Sequence, residues 1–191
     1  MSEPFFFGYG SLVNRRTHGY AEAYAARVTG WRRVWRHTHL REIAFLSVEP
    51  APGAEIEGLI AAVPDGDWRA LDEREHGYDR QRLAEGLAHA ATRPVAAEIY
   101  AVPAHRAAGP GARHPILLSY LDVVVQGYLH EFGEAGAERF FETTHGWEAP
   151  VLDDRAAPRY PRAQALTARE RGLVDWALKA LDATVLAPPG R

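Results

Sequence analysis

Phe5-Phe6-Phe7-Gly8-Tyr9-Gly10-Ser11-Leu12 is the stretch that decides how this chain is read. The three aromatic residues make an apolar run too short for a helix, so they predict a buried strand. Gly8 and Gly10 then predict a tight loop, because glycine adopts backbone angles that a Cβ disfavours. Such a loop also leaves backbone N–H groups unshielded, and these can hold a carboxylate or a developing oxyanion. On its own the hexapeptide from Phe7 to Leu12 reads first as a turn. It is not a phosphate-binding loop, since no Gly-Lys-Ser/Thr follows, nor a nucleophile elbow, since Gly-x-Ser-x-Gly is absent.

Outward from this loop, further strands are expected over 28–36, 43–48, 56–63 and 95–102. Asp65 is positioned to cap a helix that carries Trp68 and Leu71 and ends near Gly77. Pro115 suits a helix start, with Leu117, Tyr120 or Leu121, Val124 and Tyr128 on one face. A short helix is expected over 135–143. Thr167 and Glu170 have capping-box spacing ahead of a last helix bearing Leu173, Ala177 and Leu181. The stretch 104–113 reads as a surface loop. Strands dominate early and helices late, which predicts an α+β fold. No internal repeat and no linker divides the chain, so 1–191 is expected to be a single domain.

Composition narrows the function. The 191 residues carry a net charge of −3, which argues against a coat for a polyanion, so no nucleic-acid partner is expected. No stretch approaches the ~18 consecutive apolar residues of a membrane helix, and the Met-Ser-Glu-Pro-Phe start lacks a signal-peptide pattern. No membrane partner is expected either. The absence of cysteine excludes a disulfide framework, a thiolate metal site and a cysteine nucleophile, and fits a reducing, cytoplasmic setting.

The second informative stretch is Leu71-Asp72-Glu73-Arg74-Glu75-His76-Gly77-Tyr78. Its charges alone fit a solvated helix face. Glu75 is set apart by its place at the predicted helix C-terminus, where the negative end of the dipole disfavours its ionised form. Partial burial would raise its pKa further, towards the range in which a carboxyl takes and returns a proton near neutral pH.

The Tyr-Gly-Ser-Leu loop after the first strand, followed some sixty residues later by a Leu-Asp-x-x-Glu helix end, resembles the γ-glutamylcyclotransferase superfamily. Phe7 to Leu12, Arg74-Glu75 and Gly77-Tyr78 are similar to its glutathione-degrading branch. Leu71-Asp72-Glu73-x-Glu75 is as similar to the branch acting on γ-glutamyl amino acids. Gly30-Trp31-Arg32-Arg33 and Glu57-Gly58-Leu59 fall where the family carries a Gly-x-x-Arg and an x-Gly-Val strand. Tyr120, with Val123 and Gly127 after it, matches a family tyrosine that lines the substrate pocket.

The resemblance implies a small mixed β-barrel flanked by helices. It implies conversion of a γ-glutamyl amide to 5-oxoproline and a free amine. It assigns Glu75 as the catalytic carboxylate, and Tyr9, Gly10, Ser11 and Leu12 as the cradle of a small-molecule γ-glutamyl substrate. Neither a cofactor nor a metal is required, because the substrate supplies its own amine nucleophile and ring closure is intramolecular. The other reading is a non-catalytic, small-molecule-binding or regulatory member of the same fold, which would have no need of a carboxylate at position 75.

Other signals are weaker. His37 and His39, at i and i+2, would share one face of a strand, with Glu42 as a candidate third ligand, but no full ligand set is recognisable. Trp31, Arg32, Arg33, Trp35 and Arg36 mix aromatic and basic residues as nucleic-acid grooves do, yet fit better a half-covered strand with arginines lying over apolar surface. From about residue 134 the chain departs from the family pattern. The segment 143–162 is expected either to wrap over the core or to wall the active site, in which case Arg155, Arg159 or Arg162 would bind an acidic substrate group.

Overall fold

The computed structural model describes residues 4–108 and 113–188. The aromatic run forms β1 (Phe5–Gly8), buried along its whole length. It is followed by β2 (Ala23–His37), β3 (Ala44–Ala62), α1 (Arg69–Arg74), β4 (Asp79–Arg82), β5 (Leu87–His89) and β6 (Ala97–Ala101). The second half comprises β7 (Ile116–Leu117), α2 (Leu118–Glu142), β8 (Thr144–His145), β9 (Val151–Leu152), α3 (Ala168–Ala180) and β10 (Val185–Leu186).

The fold is α+β, as expected. A seven-stranded mixed sheet runs β4-β6-β1-β3-β2-β5, with β8 also paired to β2. β1 is central: it lies antiparallel to β3 and parallel to β6, with Phe5 opposite Ala62 on one side and Ala97 on the other. That position buries both faces and explains three successive phenylalanines, each contributing roughly 1.5–3 kcal/mol of burial. β4 and β5 form the two edges and do not meet, so the sheet is open and "barrel" fits it loosely. β10, β9 and β7 form a small second sheet.

Two expected strands, 43–48 and 56–63, are halves of the single strand β3. Pro50, Pro52 and Gly53 look like a break in the sequence. In the structure β2 spans both halves, pairing Trp31 with Pro50 and Thr29 with Glu55, and the extra residues are absorbed as a bulge. Another correction concerns α1. Asp65 does not cap it, because Asp65 sits at φ 56° inside a short 3₁₀ turn. The Asp67 carboxylate instead accepts from the Arg69 backbone N–H at 3.1 Å. The helix ends at Arg74, with Glu75 as its C-cap.

α2 joins the two expected helices, 115 onward and 135–143, with a break at Gly133, where φ is 70°. Gly127 lets α2 lie against the loop after β1: a Cβ there would stand 2.7 Å from the Asn14 backbone nitrogen. The capping box of α3 forms as expected, Thr167 Oγ1 accepting from Glu170 N and Glu170 Oε2 from Thr167 N. Its buried face is Val174, Ala177 and Leu178, while Leu181, expected on the helix, is its C-cap and is 36% exposed. These residues pack in the same apolar cluster as Phe5 and Phe7. Of the loop expected over 104–113, residues 104–106 form a 3₁₀ turn and 109–112 lie outside the described residues.

Candidate active site

The glycine loop after β1 turns directly into a 3₁₀ turn (Ser11–Val13), in which Val13 N bonds to the Gly10 carbonyl and Asn14 N to that of Ser11. The leading N–H groups of such a turn have no partner within it. Those of Gly10, Ser11 and Leu12 have no backbone acceptor among the described residues. The loop is braced from behind. The Tyr128 hydroxyl lies 2.9 Å from the Tyr9 carbonyl and 2.7 Å from that of Glu57, and Arg33 Nη1 donates to the same hydroxyl at 2.8 Å. Arg33 is 1% exposed and stacks over Tyr128 and Phe140. The Trp31–Arg36 run is therefore no open basic groove: Arg33 and Trp35 are buried, and Arg32 and Arg36 both hold Glu49.

Glu75 follows α1 with its side chain 16% exposed. Burial raises its pKa, opposed by the nearby charges of Arg74 and Arg162. With α1 only six residues long, desolvation rather than the helix dipole drives the shift. Arg74 joins this carboxyl to the loop. Its Nε lies 3.2 Å from Glu75 Oε1, its Nη2 donates to Ser11 Oγ at 3.2 Å, and its Nη1 donates to the Thr17 carbonyl at 3.0 Å.

A recess of about 30 Å³ is lined by Phe7 to Leu12, Leu46, Glu75, Tyr78, Tyr100 and Tyr120. Ser11, Leu46, Glu75, Tyr78 and Tyr120 also line a cleft of about 470 Å³, within the range of small-molecule sites. All the sequence-predicted site residues, Tyr9, Gly10, Ser11, Leu12, Glu75 and Tyr120, thus border one recess. Their parts differ. The Tyr9 hydroxyl donates to the Tyr100 carbonyl at 2.6 Å, so its side chain serves the frame. Gly10 has φ −113° and is not left-handed. What requires glycine is the close approach of Tyr120, whose hydroxyl would stand 2.6 Å from a Cβ at position 10. Burial raises the pKa of Tyr120 far above the ordinary phenol value, so the hydroxyl keeps its proton.

Sequence reasoning quoted Tyr78 as part of the family pattern but missed it as a site residue; its hydroxyl donates to the Leu46 carbonyl at 3.0 Å. It also missed how the late segment reaches the cleft. Asp154, 3% exposed, accepts from Ser119 N at 2.7 Å, from Ser119 Oγ at 2.6 Å and from Arg159 N at 2.8 Å. This ties the connection before α3 to the start of α2, beside Tyr120. Tyr160 then packs edge-on against Tyr120 with centroids 5.0 Å apart, and Arg159 to Arg162 form a wall of the cleft. The segment 143–162 is divided between its two expected roles. β8 and Trp147 pack on the core, and 159–162 face the cleft. Arg155 is not at the site, since it holds Asp122 and Asp175.

The histidine pair is split. His37 ends β2 and its Nδ1 accepts from His114 N at 3.1 Å, whereas His39 lies beyond the strand with its N–H on the Arg106 carbonyl. Among the described residues no group of three or more His, Cys, Asp or Glu is arranged to hold a metal ion. No helix among them is long and apolar enough to cross a membrane.

A family model described as gamma-glutamyl cyclotransferase, AIG2-like, matches residues 6–117. No curated protein sequence matches the chain. Among solved structures, one titled gamma-glutamyl cyclotransferase is similar over 92% of this chain and 99% of its own, with 11% identity and a TM-score of 0.57. An uncharacterized human protein, loc79017, matches over the same shares with 14% identity and a TM-score of 0.57. YkqA from Bacillus subtilis matches over 76% of this chain and 57% of its own, with 15% identity and a TM-score of 0.54. At these identities the likeness is one of fold.

Proposed function

The chain belongs to the gamma-glutamyl cyclotransferase, AIG2-like family, and from that premise we propose that it converts a γ-glutamyl amide to 5-oxoproline and a free amine, with Glu75 as general acid/base. The observation that carries the reading is the position of Glu75. A carboxyl with a pKa raised by burial borders the same recess as a loop whose Gly10, Ser11 and Leu12 N–H groups have no backbone acceptor among the described residues, that of Ser11 meeting the Tyr120 hydroxyl.

The glutamyl end of the substrate lies in the cleft where Ser11, Glu75, Tyr78 and Tyr120 line it, at the mouth of the small recess. Ionised Glu75 removes a proton from the substrate α-ammonium. The freed amine attacks the γ-carbonyl carbon and a C–N bond forms. The loop N–H groups hold the oxyanion of the tetrahedral intermediate. Glu75 returns its proton to the departing nitrogen as the original amide C–N bond breaks. The ring nitrogen then gives up its second proton through the same carboxylate to the freed amine, so two protons leave the α-nitrogen and two reach the departing one, and neither cofactor nor metal is part of the scheme. Both reacting groups belong to one molecule, so the protein's main task is to hold the glutamyl chain folded.

The whole chain acting as one domain is part of this proposal, supported by the packing of α3 against the β1 core. A cytoplasmic setting is part of it too, on the absence of cysteine. Incubation with γ-glutamyl amides, followed by detection of 5-oxoproline, tests the reading. Release of 5-oxoproline supports it, and none from any γ-glutamyl compound contradicts it.

A further inference from the structure

We infer that the outer half of the cleft is an arginine subsite selecting a leaving amine that carries two or more carboxylates, such as an acidic amino acid or a short acidic peptide. This rests on the cyclotransferase reading and names the substrate class for it.

The charges of the cleft are lopsided. Four arginines line it, Arg41, Arg74, Arg159 and Arg162, against two carboxylates, Glu73 and Glu75. Arg74 and Glu75 hold each other. That leaves three guanidiniums and one carboxylate, and no hydrogen bond or ion pair joins Arg41, Arg159 or Arg162 side chains to any described residue. Elsewhere in the chain arginines are mostly paired: Arg15 holds Glu131, Arg80 holds Asp72 and Glu98, and Arg139 holds Glu57. The chain as a whole is acidic, with a net charge of −3, so the cleft's balance is opposite in sign to that of the chain.

Its origin is also informative. Arg41 comes from the turn between β2 and β3, while Arg159 and Arg162 come from the connection that Asp154 ties to α2. Two distant pieces of chain therefore bring unpaired guanidiniums to one space. Guanidinium pairs with carboxylate through two parallel hydrogen bonds and is never deprotonated at physiological pH. Arg162, which lines the cleft and whose charge acts on Glu75, is the one to meet the α-carboxylate of the glutamyl half. The other two are surplus to it, and they call for negative charge on the leaving half. A cationic leaving group, such as a polyamine, would face repulsion in the same place.

The test compares kcat/KM for γ-glutamylglutamate, γ-glutamylalanine and γ-glutamylputrescine, whose leaving amines carry two, one and no carboxylates. Wild type is expected to favour the first over the last by about tenfold or more, in the range of a charge-assisted hydrogen bond. Added salt should compress the ratio. Arg41→Gln with Arg159→Gln, both exposed and outside the proposed acid/base machinery, should flatten it while leaving γ-glutamylputrescine turnover unchanged or raised. Equal rates across the three, or a preference that persists in the double variant, would overturn the subsite and leave the cyclotransferase reading standing. No 5-oxoproline from any of them would overturn both.

Discussion

Glu75 and Ser11 are held by the two ends of one guanidinium. Arg74 Nε stands 3.2 Å from Glu75 Oε1, and Arg74 Nη2 stands 3.2 Å from Ser11 Oγ. The nitrogens of a guanidinium are roughly 2.3 Å apart, so carboxyl and loop lie within about 9 Å of each other. The strut is 9% exposed at its side chain, which protects it from competition by water.

Arg74→Lys should separate these functions. A lysine keeps the charge but cannot reach Glu75, Ser11 and Thr17 together. The expected outcome is a fall in kcat of about tenfold or more, with a loss of stability of roughly 1–3 kcal/mol from the vacated acceptors. Steady-state kinetics beside a urea titration read both. A variant with full activity would mean that Arg74 does not align the site.

The raised pKa of Glu75 has a sign that can be checked. A carboxyl whose pKa is higher folded than unfolded favours the native state below the unfolded value, and that contribution is lost as pH rises through the folded value. At neutral pH its ionisation is thus a burden on the fold. Glu75→Gln should have a Tm equal to or above that of wild type at pH 7, with the gap closing as pH falls. In wild type the acid limb of kcat/KM should lie above the ordinary carboxylate value of 4.5. A limb below it would contradict the assignment.

Gly10 and Tyr120 should behave as a coupled pair. Gly10→Ala brings a Cβ to 2.6 Å from the Tyr120 hydroxyl, closer than the two can stay. Activity should fall by about tenfold or more, since small misplacements in a reacting geometry are costly. In a Tyr120→Phe background the oxygen is gone, so adding Gly10→Ala should cost much less. Equal effects in both backgrounds would show that the clash is not the cause.

Asp154→Ala removes the anchor of the 159–162 wall. It leaves Ser119 N, Ser119 Oγ and Arg159 N without their acceptor. A rise in KM larger than the fall in kcat is expected, with about 1–3 kcal/mol of lost stability. An unchanged KM would remove the wall from substrate binding.

Much of this was legible in the sequence because it is local. Phe5 to Phe7, the glycine loop, the Thr167–Glu170 capping box and the Glu75 position all follow from residues within a few places of one another. Most of the failures are long-range. Pro50 to Gly53 read as a strand break because nothing local announces that β2 carries the ladder across it. Asp65 looked like a cap, and two residues decided the matter for Asp67. Arg33 was placed on a strand, but its burial depends on Tyr128 and Phe140, about a hundred residues away. The arginine wall could be suspected from Arg159 and Arg162, yet only the Asp154–Ser119 tie brings it to Tyr120, and only Asp122 and Asp175 take Arg155 elsewhere.

The most direct test sets wild type beside Glu75→Gln. Both are first checked for fold by thermal melting, and for binding by the thermal shift a γ-glutamyl substrate produces. The release of 5-oxoproline is then followed. Wild type should release it, and Glu75→Gln should bind the same substrate yet turn it over at least ~10²-fold more slowly, since Gln keeps the shape but cannot carry the proton. A folded Glu75→Gln protein that releases 5-oxoproline at the wild-type rate would contradict the account.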